Sequence, residues 1–277
     1  MSKIKKYIGY ALPHILVEYY RKQKERKQNI LRKERFETSR KYQSAASQDF
    51  PYSALINSLV SLGVDRDQII AGSIPEDSLL DIYDSLKTNY GNSSILGLHI
   101  GNFVGVSLVY LTHLCVSLNS SNHIFSIDPN VPHRGIRNPQ EKTIFLINKF
   151  GLAKNISILT GFSLEKNLSN DGKDYTEYDP LSHFPDEYSC ENQLEALQKI
   201  AKANFSFVLI DGNHEKNYLM KEISLVQSLL ATGGLIILDD VNEGWKEIKD
   251  IFESANELNL QKIFSNNRIG ILKKIIS

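Results

Sequence analysis

From Ser94 onward the sequence alternates short apolar runs with amphipathic helical patterns, and few folds accept that alternation. The runs ILGLHI (95–100), HIFSID (123–128), ISIL (156–159), FSFVLID (205–211) and GLIILDD (234–240) read as strands. Helical periodicity fills the intervals around 104–118, 139–150, 191–203, 215–230 and 243–256. Strands separated by helices pair in parallel, with both faces of the sheet covered. The end of the chain breaks the pattern. LQKIFS (260–265) and RIGILKK (268–274) are separated only by Asn266-Asn267, which suits a tight turn and leaves no room for a helix. The expectation is an α/β fold: a seven-stranded, mostly parallel sheet with a C-terminal antiparallel hairpin strand, helices on both faces, and an N-terminal helical extension.

Three segments are expected: a basic helical arm and linker over 1–50, a helical segment over 51–90 packed on the main domain, and the main domain over 91–277. An insertion interrupts it at about 165–190, read as a lid or a loop. The net charge of zero hides an asymmetry: residues 1–41 carry 13 Lys+Arg against 4 Asp+Glu, and the rest carries the balancing excess of acid. A basic arm on an acidic body suits self-association or a peripheral membrane contact, and a solvated helix is the plainer alternative. Within 51–90, Ser73 precedes Glu76 by three residues, a capping-box spacing, and Asn138 stands likewise before Glu141. Two cysteines, Cys115 and Cys190, make neither a disulfide framework nor a four-ligand zinc site. Cys115 is read as a core residue. No apolar run approaches the ~20 residues that cross a bilayer. A cytoplasmic location is the working expectation.

Sheets of this kind bind ligands outside the carboxyl ends of their strands, and the polar residues of this sequence gather there. The first strand runs into His99-Ile100-Gly101-Asn102-Phe103-Val104-Gly105-Val106-Ser107, where glycines permit a tight turn at the start of a helix. The spacing is not GxGxxG, which argues against a nicotinamide or flavin dinucleotide. The second strand ends in Asp128-Pro129, a carboxylate suited to the hydroxyls of a ribose or to simple turn chemistry. The third leads to Gly161-Phe162-Ser163, where a purine could rest. Asp211 ends the fourth strand and Asp239-Asp240 the fifth. Adjacent strand ends lie ~5 Å apart, so three carboxylates would converge. Their repulsion must be relieved by a cation, by protonation or by separation. Mg²⁺ or another divalent cation on Asp211, Asp239 and Asp240 is one reading; capping and turn roles are the other.

The set LGLHIGNFVGVS, IFSIDPN, ILTGFS, FVLIDGNH and LLATGGLIILDDV resembles the class I S-adenosylmethionine-dependent methyltransferases, over about residues 90 to 275. It is most similar to the branch with an IDG-x-H motif, which includes small-molecule and sugar O-methyltransferases. The resemblance implies a Rossmann-like fold and S-adenosyl-L-methionine as cofactor, with Gly101 and Gly105 under its methionine portion and Asp128 on its ribose. His99, Asn102, Ser107, Pro129, Phe162 and Ser163 would complete its surroundings, and Asp211 would stand at the methyl-transfer centre. Two positions depart from the pattern. His99 stands where the family usually has Glu or Asp, and Phe162 where an acidic residue often lies near the adenine amine.

The expected reaction is O-methylation of a small or glycan-related substrate, with or without help from a divalent cation. Asp211 and His214 are the candidate catalytic residues, His214 as general base because imidazole titrates near neutrality. His133, Arg134 and Arg137 suit an anionic substrate such as a nucleotide-sugar or phosphorylated glycan, and a surface charge cluster is the alternative. Asn242 and Trp245, just after the fifth strand, are further candidates for substrate contact. A non-catalytic binding or assembly protein on the same fold is the alternative. Nucleic acid ranks below both, because the body is acidic and no Asn-Pro-Pro-aromatic motif follows the fourth strand.

Overall fold

The computed structural model describes residues 50–166, 190–201 and 204–275. The basic arm and most of the expected insertion lie outside the described residues. Residues 46–277 form one compact unit. Its chain begins with three helices: α1 (Tyr52–Val60), α2 (Arg66–Ala71) and α3 (Glu76–Tyr90). Strands and helices then alternate as β1 (Leu96–Ile100), α4 (Val106–Leu118), β2 (His123–Asp128), α5 (Pro139–Lys149), β3 (Ile156–Thr160) and α6 (Gln193–Ala201). They continue as β4 (Phe205–Ile210), α7 (Lys216–Leu229), β5 (Leu230–Leu238), α8 (Lys246–Glu253), β6 (Leu260–Ser265) and β7 (Gly270–Lys274).

The sheet has seven strands in the order β3-β2-β1-β4-β5-β7-β6. The first five are parallel, and β7 runs antiparallel to both β5 and β6. Central strands are apolar because both their faces are covered. Every residue of β4, Phe205–Ile210, is buried. One face packs against α4, which is buried nearly all round and is itself backed by α1, α3 and α5. The other face meets α7 and α8, with α6 against α7. Cys115 is fully buried in α4, as expected of a core residue.

Strand order reverses between β1 and β4: the chain leaves β1 toward β2 and β3, then returns on the other side. A crevice opens where such neighbours send their connections to opposite faces. That reversal positions the site.

Three local expectations are corrected. The helix after Ser73 starts at Glu76 with Pro75 as its cap, while the Ser73 hydroxyl donates to the Ile69 carbonyl of the preceding helix. At α5 the Asn138 side chain makes no bond to the helix backbone and donates to the Glu141 carboxylate, 3.3 Å. β5 begins at Leu230, four residues before the expected start, with a register irregularity opposite Phe205–Phe207 that accommodates Gly233 at φ 72°.

Candidate active site

Gly101 directly follows β1 at φ 79°, where a Cβ would lie 2.0 Å from the Asp211 carbonyl oxygen. Only glycine fits. Gly105 closes the loop at φ 83° against Thr143 of α5, whose hydroxyl donates to Asn102 Oδ1 at 3.0 Å. The loop backbone then points its N–H groups at the end of β2. Asp128 Oδ2 accepts from Asn102 N and Phe103 N at 2.9 and 3.0 Å, and its Oδ1 accepts from Asn130 N at 2.8 Å. Burial raises the Asp128 pKa, and these three N–H groups hold the rise back. Oδ1 keeps a lone pair for a ligand hydroxyl.

A cavity of about 280 Å³ lies across the ends of β2, β1 and β4. Of the expected cofactor residues, Gly101, Asp128, Pro129, Phe162, Ser163 and Asp211 line it. Gly105 shapes the turn from outside the lining. Asn102 spends its side chain on Ser126 and Thr143, and the Ser107 hydroxyl accepts the Ile74 N–H at 2.9 Å. His99 is wholly buried, in register between Ser126 of β2 and Leu209 of β4, with neither ring nitrogen paired. Burial lowers its pKa to about 3, so the ring is neutral.

Three carboxylates do converge at the ends of β4 and β5, and a residue that no local pattern marked relieves them. Arg268, from the turn before β7, donates to both oxygens of Asp239, with Nε to Oδ1 at 2.8 Å, and its Nη1 lies 2.7 Å from Asp240 Oδ1. Both Asp239 oxygens are thereby occupied. Burial alone would lower the Arg268 pKa, but Asp239, Asp240 and Asp211 raise it instead. Asp211 takes the opposite course: burial first, then the neighbouring Asp239 charge, pushes its carboxyl well above the usual range.

His214 completes the group. Its Nε2 lies 3.2 Å from Asp240 Oδ2, and its ring stacks on Trp245 with centroids 4.2 Å apart. Burial opposes ionisation of Asp240, but the His214 hydrogen bond and the Arg268 charge bring its pKa below the ordinary value. An ionised carboxylate can only accept, so Nε2 of the imidazole carries a proton and donates to it. Nδ1 is buried without a hydrogen-bond partner. Asp240 stands at φ 57°, an uncommon backbone for a non-glycine residue. Ligand atoms of Asp211, His214 and Asp240 lie within 4.8 Å of one another.

His133, Arg134 and Trp245 also line the cavity. Arg137 faces a neighbouring cleft that shares Arg134. Asn242 lies behind, its amide 3.4 Å from Asp240 Oδ1. Among the cavity residues that were not anticipated are Tyr218 and Glu222, one turn apart on α7. A glutamate inside the apolar stripe of Leu219, Ile223 and Val226 was the available signal.

A sequence family described as a methyltransferase domain matches residues 98–241, more than half of the chain. The chain belongs to that family, with the class I S-adenosylmethionine-dependent fold. Among solved structures it is similar to the O-methyltransferase TomG of Streptomyces achromogenes, involved in tomaymycin synthesis and solved with S-adenosylmethionine. That match has 12% identity, TM-score 0.52, and covers 84% of this chain and 91% of that one. An O-methyltransferase of Bacillus cereus, in complex with S-adenosylhomocysteine, matches at 12% identity and TM-score 0.53, over 83% and 95% of the two chains. A methyltransferase of Geobacter sulfurreducens matches at 10% identity and TM-score 0.50, over 82% and 89%. At such identities the likeness is one of fold. No curated protein matches the chain.

The residues present fit the cofactor. A turn that only glycine can make, a ribose-suited carboxylate with acceptor capacity, and the part-buried Asp211 carboxyl at the far end all border one cavity. Among the described residues no helix is long and apolar enough to cross a membrane.

Proposed function

We propose that the enzyme transfers the methyl group of S-adenosylmethionine to a hydroxyl oxygen of a small, anionic, glycan-related substrate. The observation that carries this reading is the His214–Asp240 pair at the mouth of β4, 3.2 Å apart and bordering the same cavity as the glycine turn. When bound, S-adenosylmethionine supplies a methyl group already activated on a sulfonium. The chain's own task is then to align the acceptor and take its proton.

His214 Nδ1 takes the hydroxyl proton as the oxygen attacks. Asp240 holds Nε2–H and stabilises the imidazolium that results, while Arg268 keeps Asp240 ionised. Trp245 packs one face of the ring and leaves little freedom to rotate. The anionic character of the substrate is inferred from Arg134, whose buried Nε has no hydrogen-bond partner and which borders both the cavity and the adjoining cleft. A substrate panel differing only by a phosphate or carboxylate tests this. The charged member is expected to have the lower KM, and Arg134→Ala should erase the difference without changing cofactor affinity.

A divalent cation is a second reading, favoured by the closeness of the Asp211, His214 and Asp240 ligand atoms. Those three would hold it, and it would lower the pKa of a coordinated hydroxyl. With Asp239 engaged by Arg268, the donor set contains a nitrogen, which suits a transition metal better than Mg²⁺. Turnover after exhaustive chelation distinguishes the two: retained activity supports the His214 base, and loss restored by added metal supports the cation.

A further inference from the structure

We propose that Glu222 reads the adenine amine of the cofactor, supplying from α7 the acceptor that Phe162 does not provide. The inference rests on the S-adenosylmethionine reading of the cavity and deepens it. With the methyl centre at Asp211 after β4 and the ribose at Asp128 after β2, the purine must extend toward the end of β3, where Gly161, Phe162 and Ser163 border the cavity. Glu222 borders the same end and is wholly buried.

Its surroundings fix the carboxyl. Ser163 Oγ donates to Glu222 Oε1 and lies 3.2 Å from the Tyr218 hydroxyl, which in turn accepts the Leu164 N–H at 3.2 Å. Oε2 is buried and has no hydrogen-bond partner. A carboxyl oxygen left unsatisfied in the interior is costly, and leucine would fill this helix position without that cost. Burial raises the Glu222 pKa to about 8, as expected of a carboxyl waiting for a donor. The exocyclic amine of adenine is a paired N–H donor at the end of the ligand that lies here. Its hydrogen bond to Oε2 would satisfy the oxygen and favour the ionised form.

Equilibrium binding of S-adenosylhomocysteine and of its 6-desamino analogue, in which hydrogen replaces the amine, tests the assignment without any turnover. Wild-type protein is expected to bind S-adenosylhomocysteine about tenfold more tightly, the size of one buried hydrogen bond. In Glu222→Leu the two ligands should bind within about twofold of each other. Glu222→Met serves as a second variant, and thermal melts confirm that both are folded; Ser163 keeps Tyr218 as a partner in each. A preference that persists unchanged in the variants, or equal affinities in the wild type, would overturn the assignment while leaving the cofactor reading intact. Wild-type protein that binds neither ligand would overturn both.

Discussion

Asp240 ties the cavity to the fold, because one carboxylate accepts from both His214 and Arg268. Replacing His214 with Gln is expected to cut kcat by about 10²–10⁴ while S-adenosylhomocysteine binds as before. Steady-state kinetics beside a binding titration read both at once, and undiminished turnover would remove the base assignment. Glu222 makes a separate prediction. Its pKa is about 8 in the folded chain against an ordinary 4.5, so the folded state binds the extra proton between those values. Stability therefore falls as pH rises from about 4.5 to about 8, by up to ~1.4 kcal/mol per pH unit. In Glu222→Gln the fall should be shallower in denaturant titrations run across the range, and an unchanged slope would contradict it. Asp211 and His214 were legible because strand ends mark them in sequence. Glu222 was marked only by its place within the apolar stripe of its helix, and that place does not say which cavity its carboxyl borders.

The loop after β1 and the hairpin at the end of the sheet carry the site between them. Gly101→Ala would set a Cβ against the Asp211 carbonyl at a positive φ. The loop must shift, and cofactor affinity should fall by at least about tenfold along with a lower Tm. Arg268→Met removes the cation from two buried carboxylates. The expected cost is about 3–5 kcal/mol near neutral pH. The cost should shrink in acid, where the two carboxylates, freed of Arg268 in the variant, can protonate, which urea titrations at pH 4 and pH 7 would show. The strands themselves were readable, because buried parallel strands are continuous apolar runs. Helix starts were read less well. The serine expected to cap Glu76 donates instead to the Ile69 carbonyl four residues earlier, a local competitor that the capping-box spacing does not register. Arg268 was hidden for a related reason: it meets Asp239 only once β7 has paired with β5, 29 residues later in sequence.

The sheet as a whole explains why distant segments meet. Strand order reverses between β1 and β4, so the glycine turn, the end of β2, the end of β4 and the hairpin turn border a single crevice. Seven strands with an antiparallel β7 follow from the short Asn266-Asn267 connection, which the sequence displayed openly. The identity of the methyl acceptor depends on side chains around a mouth that local patterns do not describe. The central claim is that this crevice holds S-adenosylmethionine. Equilibrium dialysis with labelled S-adenosylmethionine tests it most directly. The expected result is one molecule bound per chain, displaced by S-adenosylhomocysteine and weakened at least about tenfold in Gly101→Ala. Folded protein that retains no label at millimolar ligand, or binding that Gly101→Ala leaves untouched, would contradict it.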